Sequence, residues 1–126
     1  MSDGPPKKRP RKPKETASAR GRRLLRLQSA KNVIDHALLC ELRAFDESRE
    51  WRQDLAVSCA QWLSWFAGLN EKTAYERLRV AHALATHPLL SEAMASGELS
   101  YTQARALTRL NLPELQAELL ELSRKH

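Results

Sequence analysis

The sequence predicts an all-α fold: a small multi-helix bundle with a helix-turn-helix-like corner and a disordered basic N-terminal tail. Three observations predict it. Only four glycines occur in an Ala-, Leu-, Glu- and Arg-rich background that is 42% hydrophobic, a composition that favours helix over sheet. After about position 29, apolar residues recur at intervals of three and four. Ahead of that point, proline and positive charge gather: four of the six prolines (Pro5, Pro6, Pro10, Pro13) precede Arg20.

The formal net charge of +6 is unevenly placed. Through Ser29 the chain has ten basic and two acidic residues, a net of +8, whereas from Ala30 to His126 there are 11 basic and 13 acidic, a net of −2. A mildly acidic body therefore carries a basic arm. Residues 1–29 read as the tail, because the stretch before Arg20 has almost no apolar surface to offset the entropy of ordering. Residues 30–126 read as one helical domain. Within the arm, Lys7, Lys8, Arg9, Arg11 and Lys12 would attract nucleic acid through its phosphates. The same run equally suits a solubilising tail or, in some organisms, a nuclear localisation signal.

A first helix is expected over 29–49, with Ile34, Leu38, Leu42 and Phe45 on one face and His36, Glu41 and Arg43 elsewhere. A second is expected over 54–67, with Leu55, Cys59, Trp62, Leu63 and Phe66 inward, stopped by Gly68, which tolerates positive φ. Asn70 is a good N-cap for a third helix that runs to about Thr86, before Pro88. Pro88 suits the first turn of a short fourth helix that Gly97 ends. Ser100 and Gln103 form a capping box that opens a fifth helix reaching about Leu110. Leu112-Pro113 starts a sixth, whose stripe of Leu115, Leu119 and Leu122 has little chain left to cover it. That stripe is a candidate surface for homo-oligomer formation.

Two corners carry the functional signals. The stretch from Ala60 to Leu78 reads as helix, tight turn at Gly68, and an N-capped helix, with apolar Leu69 plugging the corner and small Ala74 where the helices cross. Those are the requirements of a helix-turn-helix, and Lys72, Thr73, Tyr75, Glu76 and Arg79 would then face base edges. Helix–glycine–helix corners also occur in all-helical proteins that bind nothing. A second corner, Gly97-Glu98-Leu99-Ser100, leads into a helix bearing Thr102, Gln103, Arg105 and Arg109. Arg105 and Arg109 lie one turn apart and could grip phosphates; the alternative is pairing with Glu98, Glu114 or other acids of the body.

Other chemistry is not signalled. His36 and Cys40 share a helix face, but no second ligand pair follows, so a surface imidazole and a buried thiol are expected, with no metal. His82 and His87 likewise lack partners. No nucleophile–base pattern and no phosphate-binding glycine loop appears, so no catalytic residue and no cofactor are expected. Trp62, Trp65 and Phe66 suit a core better than a base-stacking platform, and Trp51 a surface anchor. Cys40 and Cys59 make neither a disulfide framework nor a CxxC knuckle. No apolar run approaches the roughly 18 residues that span a bilayer, so no membrane partner is expected. The N-terminus lacks the apolar core of a signal peptide. A cytoplasmic location is expected.

Trp62-Leu63-Ser64-Trp65, Gly68-Leu69, the run Glu76-Arg77-Leu78-Arg79-Val80-Ala81-His82-Ala83-Leu84, Gly97-Glu98-Leu99-Ser100-Tyr101 and Arg105-Ala106-Leu107-Thr108-Arg109 together resemble the bacterial domain of unknown function 222. The resemblance covers about residues 30–122. That domain typically precedes a C-terminal HNH endonuclease module. The segment from Gly97 to Leu107 also resembles the DNA-binding part of ParB-type partition proteins. Both resemblances imply association with DNA. Members of the family continue past this point to a His-Asn-His metal site; here His36, His82, His87 and His126 form none, so nuclease activity does not carry over. The expectation is a non-catalytic, duplex-DNA-binding helical module. The alternatives are a truncated fragment of an HNH endonuclease and a protein-interaction or oligomerisation module.

Overall fold

The Ser18 hydroxyl accepts a hydrogen bond from the Gly21 N–H (3.0 Å) and so caps a 30-residue helix, α1 (Ala19–Ser48). A computed structural model of the chain describes residues 17–125. The chain continues through a 3₁₀ turn (Glu50–Asp54), α2 (Cys59–Ala67), α3 (Glu71–Ala83), a second 3₁₀ turn (Leu84–Thr86), α4 (Pro88–Ala95), α5 (Tyr101–Arg109), a third 3₁₀ turn (Pro113–Leu115) and α6 (Gln116–Lys125). Among the described residues there is no strand, in keeping with the expected all-α bundle.

α1 begins at Ala19 rather than at residue 29, so the stretch 19–29 assigned to the tail is helical. Its Leu and Arg residues are good helix formers, and a docked helix extends past its contacts at little cost because nucleation has already occurred. The arm residues Lys7, Lys8, Arg9, Arg11 and Lys12 lie outside the described residues.

The face that α1 turns to the body also differs from expectation. Asn32, Leu39 and Leu42 are the buried residues, whereas Ile34 and Leu38 are 65% and 50% exposed. Polar anchors set this rotation. Asn32 Nδ2 donates to Gly97 O (2.9 Å), Ser29 Oγ donates to the same oxygen (3.2 Å), and His36 Nε2 sits 2.8 Å from Ser91 Oγ. His36 is accordingly half-buried, and it is Cys40, not His36, that is exposed.

α1 ends where Arg49 turns left-handed (φ 60°), and a 3₁₀ turn closed by left-handed Leu55 (φ 70°) replaces the expected first turn of the second helix. Trp51 in that turn is a core residue at 8% exposure rather than a surface anchor, and its indole N–H donates to Asp46 O (3.3 Å). α2 starts at Cys59 under a Ser58 cap, which accepts from Gln61 N–H (3.0 Å). Leu63 and Cys59 point inward, but Leu55 and Phe66, expected inward too, are 85% and 59% exposed. Trp62 lies between: edge-on to Phe45 (4.7 Å), stacked on Phe66 (4.9 Å), and tied to Asp54 Oδ2 (2.8 Å). Trp65, expected in the core, is 56% exposed.

The later caps fall where the sequence places them. Asn70 caps α3, Pro88 opens α4, Gly97 (φ 91°) follows its end, and both hydrogen bonds of the Ser100/Gln103 box are formed. α1 packs across α3 and α4, α2 lies on α3, and α5 contacts α3 and α4. The core between them is built on Leu39, Val80, Leu90, Met94 and Leu99. α6 turns Leu120 inward, so the expected stripe is split: Leu119 is half-buried while Leu115 and Leu122 are exposed. Among the described residues no helix is long and apolar enough to cross a membrane.

Candidate nucleic-acid interface

The corner between α2 and α3 has the parts read from the sequence. Gly68 takes φ 70°, and its N–H and that of Leu69 both reach Leu63 O, which closes the end of α2. Leu69 packs against the core and Ala74 is fully buried. The Asn70 side chain then accepts from Lys72 N–H (2.8 Å), fixing the start of α3. Lys72, Thr73 and Tyr75 are exposed along its first turns.

α5 approaches the same side of α3. Ala104, fully buried, and Thr108, 2% exposed, form its inner face, and the exposed side chains Arg105 and Arg109 extend over Glu76. The Glu76 carboxylate receives three guanidinium groups. Arg79 donates from Nε to Oε1 (3.0 Å) and from Nη2 to Oε2 (2.9 Å); Arg105 Nε (2.9 Å) and Arg109 Nη2 (2.8 Å) donate to Oε2. Arg79 also donates to Arg105 O (3.1 Å), tying the two helices together. The hydrogen bonds from Arg79 act most strongly; with those from Arg105 and Arg109 they outweigh the opposing effect of burial and hold the Glu76 carboxyl well below the usual carboxylate range. The bond to Glu76 likewise raises Arg79.

These side chains line a cleft of about 560 Å³ together with Lys72, Thr73, Tyr75, Arg77 and Tyr101. All six residues proposed from the body of the sequence, Lys72, Thr73, Tyr75, Arg79, Arg105 and Arg109, are thus brought together although they come from two separate corners. Glu76, expected to face base edges with them, is instead occupied by the arginines. Arg105 and Arg109 do pair with an acid of the body, but that acid is Glu76 and not Glu98 or Glu114. Glu98 is bound by Arg124 from α6.

Two lining residues carry no signal in the sequence. Arg77 stacks its guanidinium on the Tyr101 ring (4.9 Å), and its Nε is buried without a hydrogen-bond partner among the described residues. Burial raises the Tyr101 hydroxyl above its ordinary value, against the opposing positive charge of Arg77. No local pattern marks this pair, since Arg77 meets Tyr101 only when α5 folds back on α3. The Glu76–Arg79 pair, by contrast, is visible as an i,i+3 spacing.

The described histidines, His36, His82 and His87, and both cysteines lie outside the cleft. His82 Nε2 lies 2.6 Å from Asp46 Oδ2, joining α3 to α1. His87 is fully buried with Nδ1 2.8 Å from Ala83 O. Burial lowers His36, whose ring is 3.7 Å from Cys40 Sγ, and burial, then the charge of Asp46, pushes the Cys59 thiol up to about 11. Among the described residues no group of three or more His, Cys, Asp or Glu side chains could hold a metal ion.

Comparison with models of known families, with curated proteins and with solved structures finds no match.

Proposed function

We propose that the chain is a non-catalytic DNA-binding module that grips duplex phosphates in the cleft between α3 and α5. One observation carries this reading: the cleft is lined by five cations (Lys72, Arg77, Arg79, Arg105, Arg109) and one carboxylate, a formal balance of +4 on a body whose own net charge is negative. Glu76 does not cancel that balance. It fixes three guanidinium groups in place while using one negative charge, and Arg105 and Arg109 keep 47% and 60% of their side chains exposed. Fixed guanidinium forks suit phosphate oxygens, and their charge releases counterions on contact. The basic arm adds sequence-independent attraction of the same kind.

A fluorescence-anisotropy titration of labelled duplex against salt tests this. The log–log salt slope should be steep, and Lys72→Ala with Arg109→Ala should flatten it by roughly 2, about 0.9 for each phosphate no longer neutralised. Replacing Lys7, Lys8, Arg9, Arg11 and Lys12 by Ala should flatten it further. The weakening should be similar on unrelated DNA sequences, since binding to phosphates carries no sequence information. Salt-insensitive or absent association would sink the reading.

A further inference from the structure

α1 has a second apolar row that the body leaves uncovered. Leu24, Leu27, Ile34 and Leu38 are 64%, 59%, 65% and 50% exposed. With Lys31, Glu41 and half-buried Phe45 included, positions 24, 27, 31, 34, 38, 41 and 45 alternate in steps of three and four, the spacing of a coiled-coil seam. The row lies roughly 100° around the helix from the buried face of Asn32, Leu39 and Leu42, so one side chain set cannot serve both. At its C-terminal end it meets a cavity of about 230 Å³ between α1 and α2, lined by Leu38, Glu41, Leu42, Phe45, Trp62 and Leu63.

The chemistry of the row selects its occupant. The segment 1–16 contains no Leu, Ile, Val or aromatic residue and cannot fill an apolar seam. A second copy can. Laid antiparallel about a twofold axis beside His36, the two rows match: Ile34 faces the second copy's Leu38, Leu27 faces its Phe45, and Lys31 faces its Glu41. Each contact occurs twice, as an isologous interface requires. A parallel pairing would instead set Lys31 against Lys31 and Glu41 against Glu41, placing like charges together at both ends of the apolar patch. Lys31 is already extended on this surface, where it reaches Asp35 one turn away (2.9 Å), and Glu41 has no ion-pair partner among the described residues. The cavity beside Phe45 gives the second copy's Leu27 a hole to enter, the knob-into-hole contact that a seam needs.

We infer that the protein forms an antiparallel homodimer through Leu27, Lys31, Ile34, Leu38, Glu41 and Phe45 of α1, over a seam of about 27 Å.

Sedimentation velocity and light scattering of the full chain over a range of concentrations test this. The wild-type chain should dimerise reversibly, and Ile34→Glu should raise the dissociation constant by about tenfold or more, since a charge is placed in an apolar layer. Ile34→Gln, a milder change at an exposed position, should weaken it in the same direction with unchanged helical circular dichroism. Lys31→Glu and Glu41→Lys should each weaken association, and the double variant should restore it. A local effect of Lys31 on Asp35 does not predict that rescue. A strict monomer at every concentration overturns the inference, as does a dimer indifferent to Ile34→Glu. A double variant no better than either single one overturns the antiparallel register. A dimer dissolved by Leu115→Glu with Leu122→Glu instead places the interface on α6 and overturns the α1 seam.

Discussion

The two glycine corners use one local device in different surroundings. Gly68 takes positive φ directly after α2 and Gly97 with one residue, Ser96, between it and the end of α4, and both precede a side-chain-capped helix. Gly68 faces open space, with nothing within 4 Å of where a Cβ would stand. At Gly97 that Cβ would lie 2.3 Å from Ser29 Oγ and 3.0 Å from Ser29 O, because α1 passes directly over the turn. The first glycine answers a backbone requirement alone. The second also allows the close approach of two elements, and its carbonyl is the acceptor that positions α1 through Ser29 and Asn32.

The largest test of this contrast is Gly97→Ala. It should destabilise the fold by about 2–4 kcal/mol, combining backbone strain with overpacking against α1, as read from urea unfolding. Adding Ser29→Ala should recover about 1 kcal/mol by removing the nearer of the two clashing oxygens, a coupling that independent sites would not show. Gly68→Ala should cost only about 1 kcal/mol, the left-handed strain without the clash. Equal losses at the two glycines would erase the distinction. The caps should behave alike: Asn70→Ala and Ser100→Ala each cost about 1 kcal/mol.

The smallest effect is a matter of acid. Because Glu76 titrates below its ordinary value of 4.5, the unfolded chain binds its proton first as pH falls. Its contribution is complete above that value and is lost as pH drops through the lowered one. Glu76→Gln should therefore lower the neutral plateau of a stability–pH curve slightly and flatten its acid limb, so that variant and wild type converge in strong acid. A curve of unchanged acid slope would mean that the three arginines gain nothing from this carboxylate.

Caps and turns are legible in the sequence because their chemistry is local. Asn70, Pro88, Gly97 and the Ser100/Gln103 pair act within a few residues of themselves, and each stands at the helix end that its type implies. Helix faces are less so. α1 carries two apolar rows, and periodicity alone does not say which meets the body; Asn32, a polar residue bonded to Gly97 O, decides it. Trp51 falls between the two expected helices, where no period speaks for it, and a 3₁₀ turn with left-handed ends carries it into the core instead. The cleft is legible in its members but not in its centre. Arg79, Arg105 and Arg109 can be picked out by type and spacing, whereas Arg77 and Tyr101 cannot, and the role of Glu76 depends on Arg105 and Arg109, which lie 29 and 33 positions further along the chain.

The three tryptophans give the molecule an internal set of optical reporters. Trp51 is buried in the 3₁₀ turn after α1 at 8% exposure, Trp62 forms a wall of the seam cavity, and Trp65 stands 56% exposed just before the α2–α3 turn. Their emission should separate under a collisional quencher, with Trp65 responding first and Trp51 staying protected until the core opens. Chains that keep one indole, the other two replaced by Phe, would then distinguish events at the corner, at the seam and in the core by fluorescence alone.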